Sequence, residues 1–317
     1  VTGVDAQPTG IVLVTGAAGF TGRHVLRILA DAGYRLAVLQ HRTPLPADLA
    51  ALCERVTSGD IREAHVREAA LDGVSAVCHL SAYIPSRMDD LREADLCNQI
   101  NALAVVDFAE KAAECGVRRF VYISGANMYA QSDVPRTESD AIFPAQLATA
   151  YLVSKFAAEV YLSNIAKRTG MEALILRVAT PYGPGEPANK VIPTFLRMAA
   201  EGKPLRMVNG GTARFSYVHV GDVATSVLNA IGGGAGGIYN IASGEHTSVL
   251  ELAQQIVALH GDGGAALDIE PVAPGAFTGF APLSIEKARQ TWQFAPRPLA
   301  TGLREYRDHL LAQGVIA

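Results

Sequence analysis

Ile11-Val12-Leu13-Val14-Thr15-Gly16-Ala17-Ala18-Gly19-Phe20-Thr21-Gly22 reads as a buried strand, a tight glycine turn and the start of an amphipathic helix, in that order. The order carries more weight than the glycines, because 30 glycines in 317 residues can produce this spacing by accident. Gly16 permits the sharp turn, Gly19 lets the backbone approach a pyrophosphate without a Cβ clash, and Gly22 lets the helix pack closely on the strand. Free amides at the helix start then face the anion. A dinucleotide site is expected here, with Phe20 and Thr21 in its wall.

Working outward, short β-branched runs recur at Leu36 to Leu39, Ala76 to Leu80, Phe120 to Ser124 and Ala173 to Val178. Helical patterns lie between them at Arg23 to Ala32, Ile100 to Cys115 and Ala150 to Lys167. Such alternation means parallel βα units, and so an α/β fold: a doubly wound parallel sheet of the Rossmann type. The expected dinucleotide-binding domain covers 10–179, with strands returning to it within 215–242. After about residue 180 the rhythm is broken by Pro181, Gly183, Pro184 and Gly185, so 180–214 and 243–317 are assigned to a smaller C-terminal α/β substrate lobe. Gly232 to Gly237 reads as a loop, since no helix follows it directly. Residues 1 to 9 look like a short tail.

The bulk numbers exclude several classes. With 27 basic and 31 acidic residues the formal charge is -4, which leaves no cation excess for a nucleic-acid backbone or an anionic membrane. Cys53, Cys78, Cys97 and Cys115 form no C-x-x-C pair, so they read as packed thiols in a reducing cytoplasm, with neither a metal site nor a disulfide framework. No apolar run approaches the roughly 18 residues that span a bilayer.

Tyr151-Leu152-Val153-Ser154-Lys155 falls in a helical pattern, so the phenol and the ammonium, four apart, project from one face. Proton transfer at neutral pH needs a phenol well below its usual pKa of about 10, and a nearby ammonium favours the phenolate. Tyr151 is the expected general acid or base, and Lys155 the group that lowers its pKa and holds a cofactor ribose. At the end of the second strand, Gln40-His41-Arg42 offers no carboxylate for a ribose 2′-hydroxyl. Arg42 is suited to a 2′-phosphate, so NADP is preferred over NAD; the alternative is a solvated loop charge. Asp60, followed by Ile61, is either an adenine contact or a turn residue.

The chain resembles the extended short-chain dehydrogenase/reductases, specifically the NAD-dependent epimerase/dehydratase family, which works largely on nucleotide sugars. The resemblance runs along nearly the whole chain: Thr15 to Gly22, Gly59-Asp60-Ile61, His79-Leu80-Ser81-Ala82, Asn101, Val121 to Ser124, Tyr151 to Lys155, Tyr182 to Gly185, Tyr217 to Asp222 and Tyr239 to Gly244. It implies that Leu80, Ser81 and Ala82 line the cofactor, that Asn101 supports the central helix beneath the active site, that Tyr83 lies on the substrate side, and that the protein is a homodimer through its central helices. Read without the resemblance, Asn101 is a helix cap, and His79 and His219 are core histidines.

Three departures matter. The family usually places a Ser or Thr four residues before the tyrosine that here is Tyr129, where this chain has Gly125; Ser124 is the expected substitute, with Asn127 or a water as the alternative donor. Ala126-Asn127 replaces the Asp-Glu pair of the family's dehydratases, which argues against a 4,6-dehydratase. Thr180 and Phe215 stand where an Asn and an Arg are common at the substrate's diphosphate, leaving Arg214, one register position away, as the available guanidinium. The expected function is hydride transfer at a secondary alcohol or ketone of a sugar nucleotide, as a 4-epimerase or 4-ketoreductase. A reductase or dehydrogenase of a non-nucleotide alcohol, aldehyde or sugar is the alternative, and a catalytically weak cofactor-binding regulator the third reading.

Overall fold

The computed structural model describes residues 10–88, 90–142, 149–261 and 265–316; the expected tail at 1–9 lies outside them. Its first half is a run of βα units: β1 (Ile11–Thr15), α1 (Phe20–Asp31), β2 (Arg35–Gln40), α2 (Ala47–Ala50), β3 (Arg55–Ser58), α3 (Ala64–Leu71) and β4 (Val74–His79). Then come α4 (Ala94–Asn98), α5 (Ala104–Glu114), β5 (Arg119–Gly125), α6 (Ala150–Thr169) and β6 (Glu172–Val178). The central strands are rich in apolar residues because both faces are covered: Val12, Leu13 and Val14 of β1 are all inaccessible to solvent.

The second half contributes β7 (Thr180–Tyr182), α7 (Val191–Ala200), β8 (Leu205–Met207), β9 (Arg214–Phe215), β10 (Tyr217–His219), α8 (Val220–Gly232) and β11 (Gly237–Ile241). It ends with β12 (Thr247–Ser248), α9 (Val249–Ala258), β13 (Leu267–Ile269), α10 (Glu286–Trp292) and α11 (Leu299–Ala312). The main sheet has seven strands in the order β11-β6-β5-β4-β1-β2-β3, and each neighbouring pair runs parallel. The winding reverses between β1 and β4, so a crevice opens at the C-terminal ends of those two strands.

Of the two segments expected to return to the sheet, Phe215 to Val220 and Ile238 to Ile241, the second does, within β11, which pairs with β6 from Gly237↔Leu174 to Ile241↔Val178. Tyr217–His219 does not; it pairs with β7 in a separate two-stranded ladder. Both are short apolar runs, and periodicity alone cannot tell which edge such a strand will join.

One core lies between the sheet and α1 with α8, and a second between the sheet and α3, α5 and α6. A third, around Leu196, Leu252, Leu303 and Tyr306, lies among α7, α9 and α11. Helix α6 owes its ends to local chemistry: the Thr149 side chain accepts from the Leu152 amide, and Gly170 closes it at φ 77°. Those caps set where Tyr151 sits, in the first turn.

Candidate active site

The glycine turn is as tight as its sequence requires. A Cβ on Gly22 would come within 2.1 Å of the Gly16 carbonyl oxygen, and one on Gly16, at φ +73°, within 2.8 Å of the Ser81 amide nitrogen. These are backbone atoms, which cannot give way. Gly19 differs: its Cβ would meet only the Gly16 oxygen, at 3.2 Å, so the side towards the crevice is clear. A close-approaching pyrophosphate fits such a cradle.

The tip of β4 is tied to the tip of β1. The Ser81 amide donates to Thr15 Oγ1 at 3.2 Å, and Thr15 Oγ1 lies 3.0 Å from His79 Nδ1. The His79 ring is buried among Phe108, Phe120 and Tyr122, and burial pulls its pKa down to about 3. It is a neutral core histidine. Thr15 was not singled out by the sequence, although a polar residue closing an apolar strand is a signal of such a tie.

Asn101 works as a clasp rather than a cap. It accepts from the Tyr83 amide at 2.6 Å and donates to the Tyr83 carbonyl at 2.9 Å and to Ser154 Oγ at 3.1 Å. One side chain thus joins the segment after β4 to α6. It sits in a wide π-type turn, Gln99–Leu103, between α4 and α5, a distortion that recurs at functional sites. Ser154 in turn donates to the Tyr151 carbonyl at 2.8 Å.

Helix α6 carries Tyr151 and, one turn on, Lys155, 2% exposed. The ammonium lies 4.1 Å from the centre of the Tyr122 ring and makes no hydrogen bond or ion pair among the described residues. Burial draws its pKa down to about 7, partly opposed by Glu159. Burial pushes the Tyr151 phenol the other way, up to about 12, with Cys97 adding to the rise. Without a ligand the pair is a neutral phenol beside a reluctant cation. Glu159 is itself bound to Arg177 of β6 at 2.6 Å, both buried, and Arg177 donates to the Tyr129 hydroxyl at 2.7 Å. That pair pins α6 to the sheet, and no spacing in the sequence announces it.

The remaining expected site residues divide. Ser124 Oγ is buried without a hydrogen-bond partner among the described residues, on the strand face that Tyr122 shares. A Cβ at Gly125 would meet only Leu152 Cδ2, at 3.6 Å, so the missing side chain leaves room at the strand tip. Asn127 is half-buried and Thr180 opens β7. The Tyr83 hydroxyl is bonded to Glu93. Arg214 pairs with Glu251 at 3.0 Å and donates to the His246 carbonyl at 2.6 Å, while Phe215 joins Tyr217, Phe277 and Phe280 in an aromatic group.

On the nucleotide side, Gln40 is structural: it donates to Ser58 Oγ and accepts from the Leu45 amide. Asp60 is a turn residue, accepting from the Arg62 amide, and the Arg62 guanidinium holds its pKa down at about 2. His41 stands 3.9 Å from the Asp60 carboxylate. Arg42 is exposed and makes no ion pair among the described residues.

The model of the NAD dependent epimerase/dehydratase family matches residues 12–242. The chain is similar to a dTDP-4-dehydro-6-deoxy-D-allose reductase of Streptomyces bikiniensis, with 28% identity over 94% of this chain and 96% of that protein. Among solved structures it is similar to the UDP-glucose 4-epimerase of Thermus thermophilus in complex with NAD, at 25% identity, TM-score 0.81, covering 95% of this chain and 99% of that one. The Thermotoga maritima UDP-glucose 4-epimerase with UDP-glucose shares the fold at TM-score 0.83 and 24% identity, covering 96% and 99%.

Proposed function

This chain belongs to the NAD-dependent epimerase/dehydratase family, and from that premise we propose that it is a 4-epimerase or 4-ketoreductase of a sugar nucleotide. The observation that carries the reading is a half-buried phenol one helical turn from a buried ammonium on α6 that has no hydrogen bond or ion pair among the described residues. A bound nicotinamide supplies hydride exchange. The chain's own part is binding and proton movement. The α1 amides and Gly19 face the pyrophosphate, Leu80 to Ala82 line the crevice, and Lys155 holds ribose hydroxyls. Tyr151 then takes the proton of a substrate hydroxyl, or returns it to a carbonyl oxygen. Ser124 or Asn127 is the candidate second donor to that oxygen.

Incubation with UDP-glucose and with dTDP-4-keto-6-deoxy sugars, followed by nicotinamide absorbance and product stereochemistry, tests this. Net oxidation of reduced cofactor marks a ketoreductase; exchange of configuration without net cofactor change marks an epimerase. Turnover confined to a simple ketone or aldehyde would sink the sugar-nucleotide reading. It would favour a non-nucleotide substrate, a second reading supported by the aromatic surroundings of Phe215 and the ion pairing of Arg214.

NADP is the proposed cofactor form, supported by the exposed Arg42, which has no ion-pair partner among the described residues, and by the absence of a carboxylate from Gln40-His41-Arg42. Arg42→Ala is expected to weaken NADPH binding at least tenfold, about the worth of one charge-assisted hydrogen bond, and to leave NADH binding within about twofold. Equal losses for both, in a fluorescence titration, would refute the assignment. The reading places the protein in the cytoplasm as a homodimer through its central helices; for the dimer, the support is the exposed Val153, Val160 and Tyr161 along one face of α6.

A further inference from the structure

Lys155 is a buried cation with no hydrogen bond or ion pair among the described residues. The groups that face it come from three elements: His79 of β4, Tyr122 of β5, and Tyr151 and Glu159 of its own helix. His79 is neutral and hydrogen-bonded to Thr15. Tyr151 is a neutral phenol, and the Glu159 carboxylate is engaged by the Arg177 guanidinium. Among the described residues, the partner left to the ammonium is the face of the Tyr122 ring, 4.1 Å from nitrogen to ring centre. An aromatic face carries partial negative charge, and its attraction for an ammonium grows when both are desolvated. Tyr122 is inaccessible to solvent, and its hydroxyl is without a hydrogen-bond partner among the described residues, so the ring and not the hydroxyl meets the cation.

We propose that the ring face of Tyr122 is the seat that holds the Lys155 ammonium charged and in place, which makes Tyr122 a positioning residue for proton transfer at Tyr151. The register of β5 builds the seat, because Phe120, Tyr122 and Ser124 alternate onto one face of the sheet, the face on which Phe120 and Tyr122 pack with Ala158 and Leu162 of α6. The inference rests on Lys155 serving Tyr151, but its test needs neither substrate nor cofactor.

The chain has six lysines, so the protein labelled with ¹³C at lysine Cε gives a spectrum simple enough to titrate, with the Lys155 signal identified by its loss in Lys155→Met. In the wild type that signal is expected to titrate at about 7, where burial places the ammonium. Tyr122→Phe keeps the ring and leaves the midpoint unchanged; Tyr122→Leu removes it and lowers the midpoint by about one pH unit, a tenfold loss of proton affinity. Should Tyr122→Leu not fold, 3,4,5-trifluorophenylalanine at position 122 keeps the shape and removes the negative face, and the midpoint falls again. A Lys155 midpoint indifferent to both changes overturns the proposal. Failure of the enzymatic reading shows separately, as a wild-type protein that binds no nicotinamide cofactor.

Discussion

Tyr151→Phe lowers kcat of the cofactor-coupled reaction about a thousandfold or more and leaves cofactor affinity within about twofold. The loss runs through one proton. A positioned acid or base contributes about a hundred- to ten-thousandfold, and among the described residues on α6 no other phenol stands within a turn of Lys155. The phenol lies high, at about 12, in the ligand-free protein, so a rate at neutral pH depends on the charge of Lys155 and of an oxidised nicotinamide bringing it down. Stopped-flow traces at saturating cofactor check this. A Phe variant that keeps more than a tenth of the wild-type rate would remove Tyr151 from the chemistry.

Lys155→Met has a two-part signature: it abolishes turnover and makes the protein more stable. A lysine that has dropped from its usual value of about 10.4 to about 7 weakens the fold wherever the unfolded chain stays protonated and the folded one resists. Proton linkage sets the sign. Below pH 7 both states carry the proton and the full burial penalty of the ammonium stands. Between about 7 and 10 the unfolded chain binds more protons than the folded one, so the wild type gains stability as pH rises; above that window the difference is gone. Removing an unpaired buried charge is expected to add about 1–4 kcal/mol at pH 6, raising Tm by several degrees, with the advantage fading towards pH 10. Thermal unfolding of both proteins across that range measures it. A methionine variant less stable than the wild type at pH 6 would mean the ammonium is well satisfied in the cofactor-free protein.

Most of the sheet was legible because its information is local. Ile11 to Thr15 is the strand itself, residue for residue, and the helix carrying Tyr151 and Lys155 starts at Ala150 as its pattern indicates. A glycine turn between an apolar run and a helical face has one geometric solution. What escaped was non-local. Nothing at Tyr217 says that its partner is Thr180 and not the edge of β6. Asn101 looked like a cap because a cap needs only near neighbours, whereas its partners, Tyr83 and Ser154, lie 18 and 53 residues away. Arg214 reads equally as a guanidinium for a diphosphate and as a surface arginine beside a core phenylalanine, and neither reading places it against Glu251, 37 residues on. Charge and hydrogen bonding across such separations are settled by topology, and single-residue chemistry is silent about them.

The edge strand β11 is delivered late. It joins β6 only after Thr180 to Gly236 have been laid down, so a growing chain that has finished β6 holds a long apolar ribbon with one side unsatisfied. A fragment cut at residue 179 would keep that open flank permanently, and such flanks recruit other chains. No single scission therefore leaves the seven-stranded sheet complete, and exchanging the segment between β6 and β11 with that of a relative requires two crossovers, one on either side of it.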